Sequence, residues 1–183
     1  NPQLQKFEMS QSGSLRMTLP LSEMIYWSVA GTMAVAFAVT LLIAAFDQRT
    51  IDGSVSVWAK PLKFELSLTI HAATLALVMA GLSQGVRSVS VMSIVAFAFL
   101  AACIIEMSYI IGQAARAEHS HFNVTTPFYR FMWSMMALAA VVIIGAAAAV
   151  GIATSLDSGS SFPPALKWAI IIGLVGGTLL KLY

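Results

Sequence analysis

Four long apolar stretches recur along this chain, and they limit its fold more than any other feature. An α-helix needs about twenty consecutive apolar residues to cross the hydrocarbon core of a bilayer. The runs cover about 23–46, 62–82, 89–115 and 131–154, and a shorter fifth covers about 166–181. Composition points the same way, with 58% of residues hydrophobic and 10% charged, against about a quarter charged in a soluble domain. So few charges cannot cover a water-facing surface. A sheet with open edges is excluded, because lipid offers no partner to backbone N–H and C=O groups. The expected fold is all-α, an integral membrane helical bundle of about five transmembrane helices. A polar N-terminal segment, 1–20, precedes a single helical membrane domain, 21–183.

Local signals mark the helix ends. Ser22 is the expected N-cap of the first run, with Glu23 in its first turn, where a carboxylate favours the helix dipole. Pro61 suits the start of the second. The apolar part of the third ends near Gly112, and its helix is expected to continue to 115. The stretch 155–164 is rich in Ser, Gly and Pro and separates the fourth run from the fifth. The first twenty residues lack the basic tip and immediate apolar stretch of a signal peptide.

Helices alternate in direction, so the loops after the first and third runs emerge on one side of the membrane. That side collects Asp47, Arg49, Asp52, Lys60, Lys63, Arg116, Glu118, His119, His121 and Arg130. Below it, Glu106, Tyr109, Gln113 and Arg116 recur at spacings of 3, 4 and 3, which puts them on one helical face. In the second run Lys63, Ser67, His71 and Thr74 share a face, and Glu65 points away from it. His71 lies roughly 12 Å inward of Lys63, and Glu106 roughly 10 Å inward of Gln113, so the two can meet. The expected site is one polar pocket between the second and third helices, bounded by Lys60, Lys63, His71, Glu106, Gln113, Arg116 and His121. The opposite side offers only short polar connections around Gln84–Arg87 and Asp157–Pro164. Counting Lys and Arg by side favours a cytoplasmic pocket and an external N-terminus.

Each candidate has a plainer alternative. A carboxylate within a membrane helix costs several kcal/mol unless paired or protonated, so Glu106 is a functional candidate by default; its alternative is a structural ion pair or hydrogen bond with Arg116 or a residue of the second helix. His71 fits a metal or haem ligand, a proton relay, or simply a hydrogen bond between helices. His119 and His121, two residues apart, can reach one copper or zinc ion from a loop but not from a helix. Cys103 has no disulfide partner in the chain, and the ten methionines are scattered as gap-fillers. Asn123-Val-Thr125 matches a glycosylation sequon of low specificity. Small residues at 146–149, Gly151, Gly173, Gly176 and Gly177 allow close helix approach, in a tight bundle or an oligomer.

Several classes are disfavoured. Three histidines are too few for a di-iron membrane oxygenase, and no lysine lies in mid-membrane to hold a retinal. There is no Walker loop, no G-x-S-x-G, no C-x-x-C, and no basic surface for a nucleic acid.

Two segments, VWAKPLKFELSLTIHAATLA and EMSYIIGQAARAEHSHFNVTTPFY, carry a resemblance. They resemble a family of uncharacterised bacterial multi-pass membrane proteins with W-x-KP-x-KF and QAAR-x-x-x-SHFN motifs. The match spans about 57–126 and departs at Ala117, where the family motif has glycine. It singles out Lys60, Pro61, Lys63, Phe64, Glu106, Gln113, Arg116, Ser120, His121 and Asn123. It also implies a bacterial inner membrane and a natural chain running past Tyr183 with further polar and histidine-containing segments.

The expected function is a multi-pass subunit of a larger complex or homo-oligomer whose pocket binds a cofactor, ion or anionic lipid. Lys60, Lys63, Arg116 and Arg130 would attract the anionic group. Three alternatives are carried. Glu106 and His71 could serve proton-coupled transport. His71 could instead join His119 or His121 in ligating haem or copper, a cofactor class that extends to a bound pigment. The chain could also be a purely structural accessory. Whether it is an enzyme is left open.

Overall fold

A computed structural model describes residues 19–51, 53–119 and 125–182. Its elements are α1 (Leu21–Phe46), β1 (Thr50–Ile51), β2 (Val55–Ser56), α2 (Ala59–Gly81), α3 (Gln84–Arg87), α4 (Ser90–Ala115) and α5 (Pro127–Leu156). The fifth run forms α6 (Pro164–Ile171), a π-helical turn (Ile172–Gly176) and α7 (Gly177–Leu182). Four of these helices, α1, α2, α4 and α5, are long and apolar enough to cross a membrane. The protein is an all-α multi-pass membrane bundle.

The boundaries follow local chemistry. Helix α1 begins one residue before the expected cap. Pro20 is its N-cap with φ −53° and ψ 144°, and the Ser22 hydroxyl donates to the Arg87 carbonyl instead. Helix α2 starts at Ala59, before Pro61, because proline is tolerated in a first turn where its missing N–H has no partner anyway. Lys60 is thereby drawn into the helix. Helix α5 starts at Pro127, earlier than the apolar run, because the Thr126 hydroxyl accepts from Tyr129 N–H and caps it.

Helix α1 packs against α2, α4 contacts both, and α5 and the fifth run complete the bundle. Small residues make the close approaches. Ala72, Ala76 and Ala96 are fully buried between helices. Gly151 touches the fifth run so closely that a Cβ would lie 2.8 Å from Val175 Cγ2. Gly81 makes room for the Phe162 ring, which would lie 2.1 Å from such a Cβ. Gly173 and Gly177 differ, since a Cβ there would meet nothing within 4 Å.

On one membrane face the connections are tied over long sequence distances. Glu23, 3% exposed, pairs with Arg87 at 2.7 Å. Asp157 is also buried, and its carboxylate accepts from Ser83 N–H at 2.6 Å and Gly159 N–H at 2.9 Å. Lys167 donates to the Asp157 carbonyl, and Ser161 N–H and hydroxyl both donate to the Gly81 carbonyl. Burial by itself would raise the Asp157 carboxyl. The Ser83 and Gly159 hydrogen bonds and the nearby Lys167 charge outweigh it and hold the group below the usual carboxylate range. These connections, expected to be short polar turns, are an interlocked network.

Candidate functional site: a polar seam between α2 and α4

Helices α2 and α4 run antiparallel. Lys60, Phe64 and His71 fall on one side of α2, while Glu106 and Phe99 fall on the facing side of α4. Near the membrane surface, Lys60 lies within electrostatic reach of Glu106, and its Nζ stands 5.9 Å from the centroid of Phe64. Glu106 is 3% exposed. A carboxylate so placed must be neutralised, and the lysine across the seam is the cation positioned to do it. Deeper in the same seam, the His71 ring packs on Phe99 with centroids 5.8 Å apart. Its Nε2 lies 3.4 Å from the Ile143 carbonyl oxygen of α5. Phe99 and Glu106 are seven residues apart, so the two polar contacts stand about 10 Å apart along the helix. The structure thus places Lys60 and Glu106 on facing sides of the upper seam, and His71 roughly two turns below Glu106.

A rigid rim surrounds the upper part. Helix α4 ends in a Schellman turn: Glu118 N–H donates to the Gln113 carbonyl at 2.9 Å and Ala117 N–H to the Ala114 carbonyl at 3.0 Å. Ala117 takes the left-handed position with φ 56°, where glycine is normally preferred. Gln113 is completely buried and uses both ends of its amide inside this turn. Its Oε1 accepts from Arg116, and its Nε2 donates to the His119 carbonyl at 3.1 Å. Gln113 is therefore a positioning group. Arg116 extends outward, and Glu118 accepts a 2.7 Å hydrogen bond from the Tyr129 hydroxyl.

The other rim segment is the α1–α2 connection. Strands β1 and β2 pair antiparallel, Thr50 opposite Ser56 and Ile51 opposite Val55, around Gly53 at φ 74°. Val57 and Trp58 bury against Ala114 in a small second core. Asp47 accepts from Arg49 Nη2 at 2.7 Å and from Trp58 Nε1 at 2.8 Å, and Arg49 Nη1 donates to the Ala115 carbonyl at 2.9 Å. The Arg49 guanidinium and the Trp58 indole N–H hold the Asp47 carboxyl well below the usual carboxylate range. Asp47 in turn raises Arg49.

Other candidates lie elsewhere. Lys63 and Arg130 are exposed on their helices, and His119 is exposed beyond the α4 turn. Ser120, His121 and Asn123 lie outside the described residues, as does Asp52. Glu65 is completely buried toward α1, where its Oε1 accepts from Thr40 at 2.8 Å and its Oε2 has no hydrogen-bond partner. Sequence reasoning turned Glu65 away from the seam but did not find Thr40. It also missed Tyr129 and Trp58, whose polar atoms complete the rim. Aromatic residues next to charged loops at helix ends are the signal that would have found them. Among the described residues, no group of three or more His, Cys, Asp or Glu side chains is arranged to hold a metal.

Comparison with protein-family models, with curated proteins and with solved structures gave no match. The function must be read from the site itself.

Proposed function

We propose that this protein is a bacterial inner-membrane subunit, acting within a larger assembly or as a homo-oligomer, whose α2–α4 seam binds an anionic group at one membrane face. The ligand is an anionic lipid headgroup or a small anion presented at the same depth. One observation carries the reading: a buried carboxylate, Glu106, faces a lysine from the neighbouring helix beneath a rim of arginines. In this arrangement Glu106 and Lys60 face each other within a low-dielectric seam, and an arriving anion competes with Glu106 for that lysine. Arg116 and Arg49 raise the local concentration of anions at the mouth.

The test is native mass spectrometry of the protein in nanodiscs, with phosphatidylglycerol titrated against phosphatidylcholine. Lys60→Gln should weaken retention of the anionic lipid about fivefold, the effect of one basic residue at a membrane surface. Glu106→Gln should strengthen it, because the internal competitor is gone. Equal retention in wild type and both variants sinks the proposal. Competition by inorganic phosphate separates a free-anion site from a headgroup site.

Proton-coupled transport is the second reading, favoured by two buried carboxylates, Glu106 and Glu65, at similar depth on adjacent helices. It expects Glu106→Gln to abolish pH-driven flux in liposomes while the helical content is kept. The haem or copper reading is weaker. His71 lies at the level of Phe99, and His119 follows the end of α4. That is sixteen residues of helix, about 24 Å, so the two cannot share one metal.

A further inference from the structure

His71 also borders a space that the seam does not use. A chamber of about 110 Å³ lies between α2, α5 and the fifth run, lined by His71, Ile144, Ala147, Gly173, Leu174, Gly177 and Thr178. Gly173 and Leu174 are also part of the wall of a second cavity of about 300 Å³. That outer cavity runs between α2 and α6 and is bordered by Thr74, Val78, Leu166 and Ile170. The inner chamber has His71 and Thr178 in its wall, whereas the outer is lined by apolar residues apart from Thr74. Together the volumes reach the range of small-molecule sites.

The local sequence explains why space exists here. The helix widens into a π turn at Ile172–Gly176, a departure that recurs at functional sites. Gly173 and Gly177 leave open space where side chains would otherwise close the gap. The hydrogen-bonding pattern then selects the ligand. Thr178 is 6% exposed, and its hydroxyl proton is engaged by the Leu174 carbonyl at 2.7 Å and the Ile144 carbonyl at 3.1 Å. Its oxygen therefore presents lone pairs, and prefers a donor to an acceptor. Apart from His71, the lining carries no ionisable side chain. A charged head would be costly at this depth, so a neutral one is favoured.

We propose that the His71 chamber and the outer cavity form one lipid-accessible site. Its ligand is a neutral membrane-soluble molecule with a compact hydroxyl head and an apolar tail. The head donates to Thr178 Oγ1 beside the His71 imidazole, and the tail leaves between α2 and α6 into the bilayer. Long-chain alcohols and quinols share this chemistry.

The test uses the whole chain in nanodiscs and a long-chain alcohol carrying a photoactivatable diazirine in its tail. Labelling is read by peptide mass spectrometry. The expected result is concentrated labelling of 164–174 and 70–81, the segments that wall the outer cavity, displaced by excess decanol or by a decyl quinol; the stronger competitor identifies the ligand class. Thr178→Val removes the accepting hydroxyl while nearly keeping the side-chain shape, and should weaken displacement about fivefold, the worth of one hydrogen bond. Gly177→Ala adds one methyl group where the structure is open and should also reduce labelling, which keeps the test valid if Thr178→Val folds poorly. Labelling spread evenly over all lipid-facing helices, or unchanged in both variants, overturns the proposal. So does protection of this groove by a cross-linked protein segment. The Lys60 lipid assay is independent of every one of these outcomes.

Discussion

The two membrane faces of this bundle use their polar residues in opposite ways. On the face of Glu23, Arg87 and Asp157, polar bonds join residues far apart in the chain: Glu23 to Arg87, Ser83 to Asp157, Ser161 to Gly81. They staple separate helices together. On the face of Asp47, Gln113 and Glu118, most described bonds are local, within one loop or one turn: Asp47 with Arg49, Gln113 with Arg116 and His119. The Arg49 bond to the Ala115 carbonyl crosses between the two loops. The lesson is one of division of labour. Long-range bonds clamp one face, while local bonds hold the other as two preformed rims about a seam. Regions held by few long-range contacts are the ones that open at low cost.

That contrast can be broken experimentally, and the largest effect should come from the stapled face. Arg87→Ala leaves Glu23 buried without its cation and should cost about 3–5 kcal/mol, read as thermal unfolding in detergent. An unchanged melting temperature would mean that the pair staples nothing. Asp157→Ala should cost about 2 kcal/mol through loss of charged hydrogen bonds to Ser83 and Gly159. Its sign with pH follows from the depressed carboxyl. The contribution is complete at neutral pH, begins to fall below the unfolded value near about 4, and is gone once the pH passes below the folded value. Wild type should therefore lose its advantage over Asp157→Ala on acidification; a constant difference would refute the assignment.

The seam face should respond more weakly, and in one case in the opposite direction. Ala117→Gly relieves a left-handed alanine and should stabilise the protein by about 1 kcal/mol. A loss of stability would show that Ala117 contributes a contact that outweighs its strain. The smallest global effect is expected for Asp47→Asn, which should speed hydrogen exchange across 50–58 and leave the melting temperature nearly unchanged. Because the folded Asp47 carboxyl is also depressed, wild-type protection of that loop should hold above about pH 4 and fade below it. Cooperative loss of the whole bundle in Asp47→Asn would erase the distinction between the faces.

Much of this was legible before any coordinates. Runs of about twenty apolar residues determined membrane helices and their alternating direction, because the bilayer permits little else. The 3, 4, 3 spacing placed Glu106, Tyr109, Gln113 and Arg116 on a common face; the structure buries the first three and leaves Arg116, at the helix end, exposed. The two-residue strands went unseen because they carry no periodic pattern. The π turn was hidden within an ordinary apolar run.

Pairing across helices was the part that sequence could not determine. Periodicity fixes which residues of one helix share a face, but not the rotation or axial offset of that helix against its neighbour. Lys60 and His71 lie on one side of α2, yet only the packing decided that Lys60 faces Glu106 while His71 packs on Phe99. The same holds for Glu65, whose partner Thr40 lies on α1, and for Arg87, which crosses to Glu23. Helix identity came from the cost of exposing peptide groups to lipid, a property each segment carries alone. Partner choice came from the fit of side chains between segments, and that exists only once the bundle has packed.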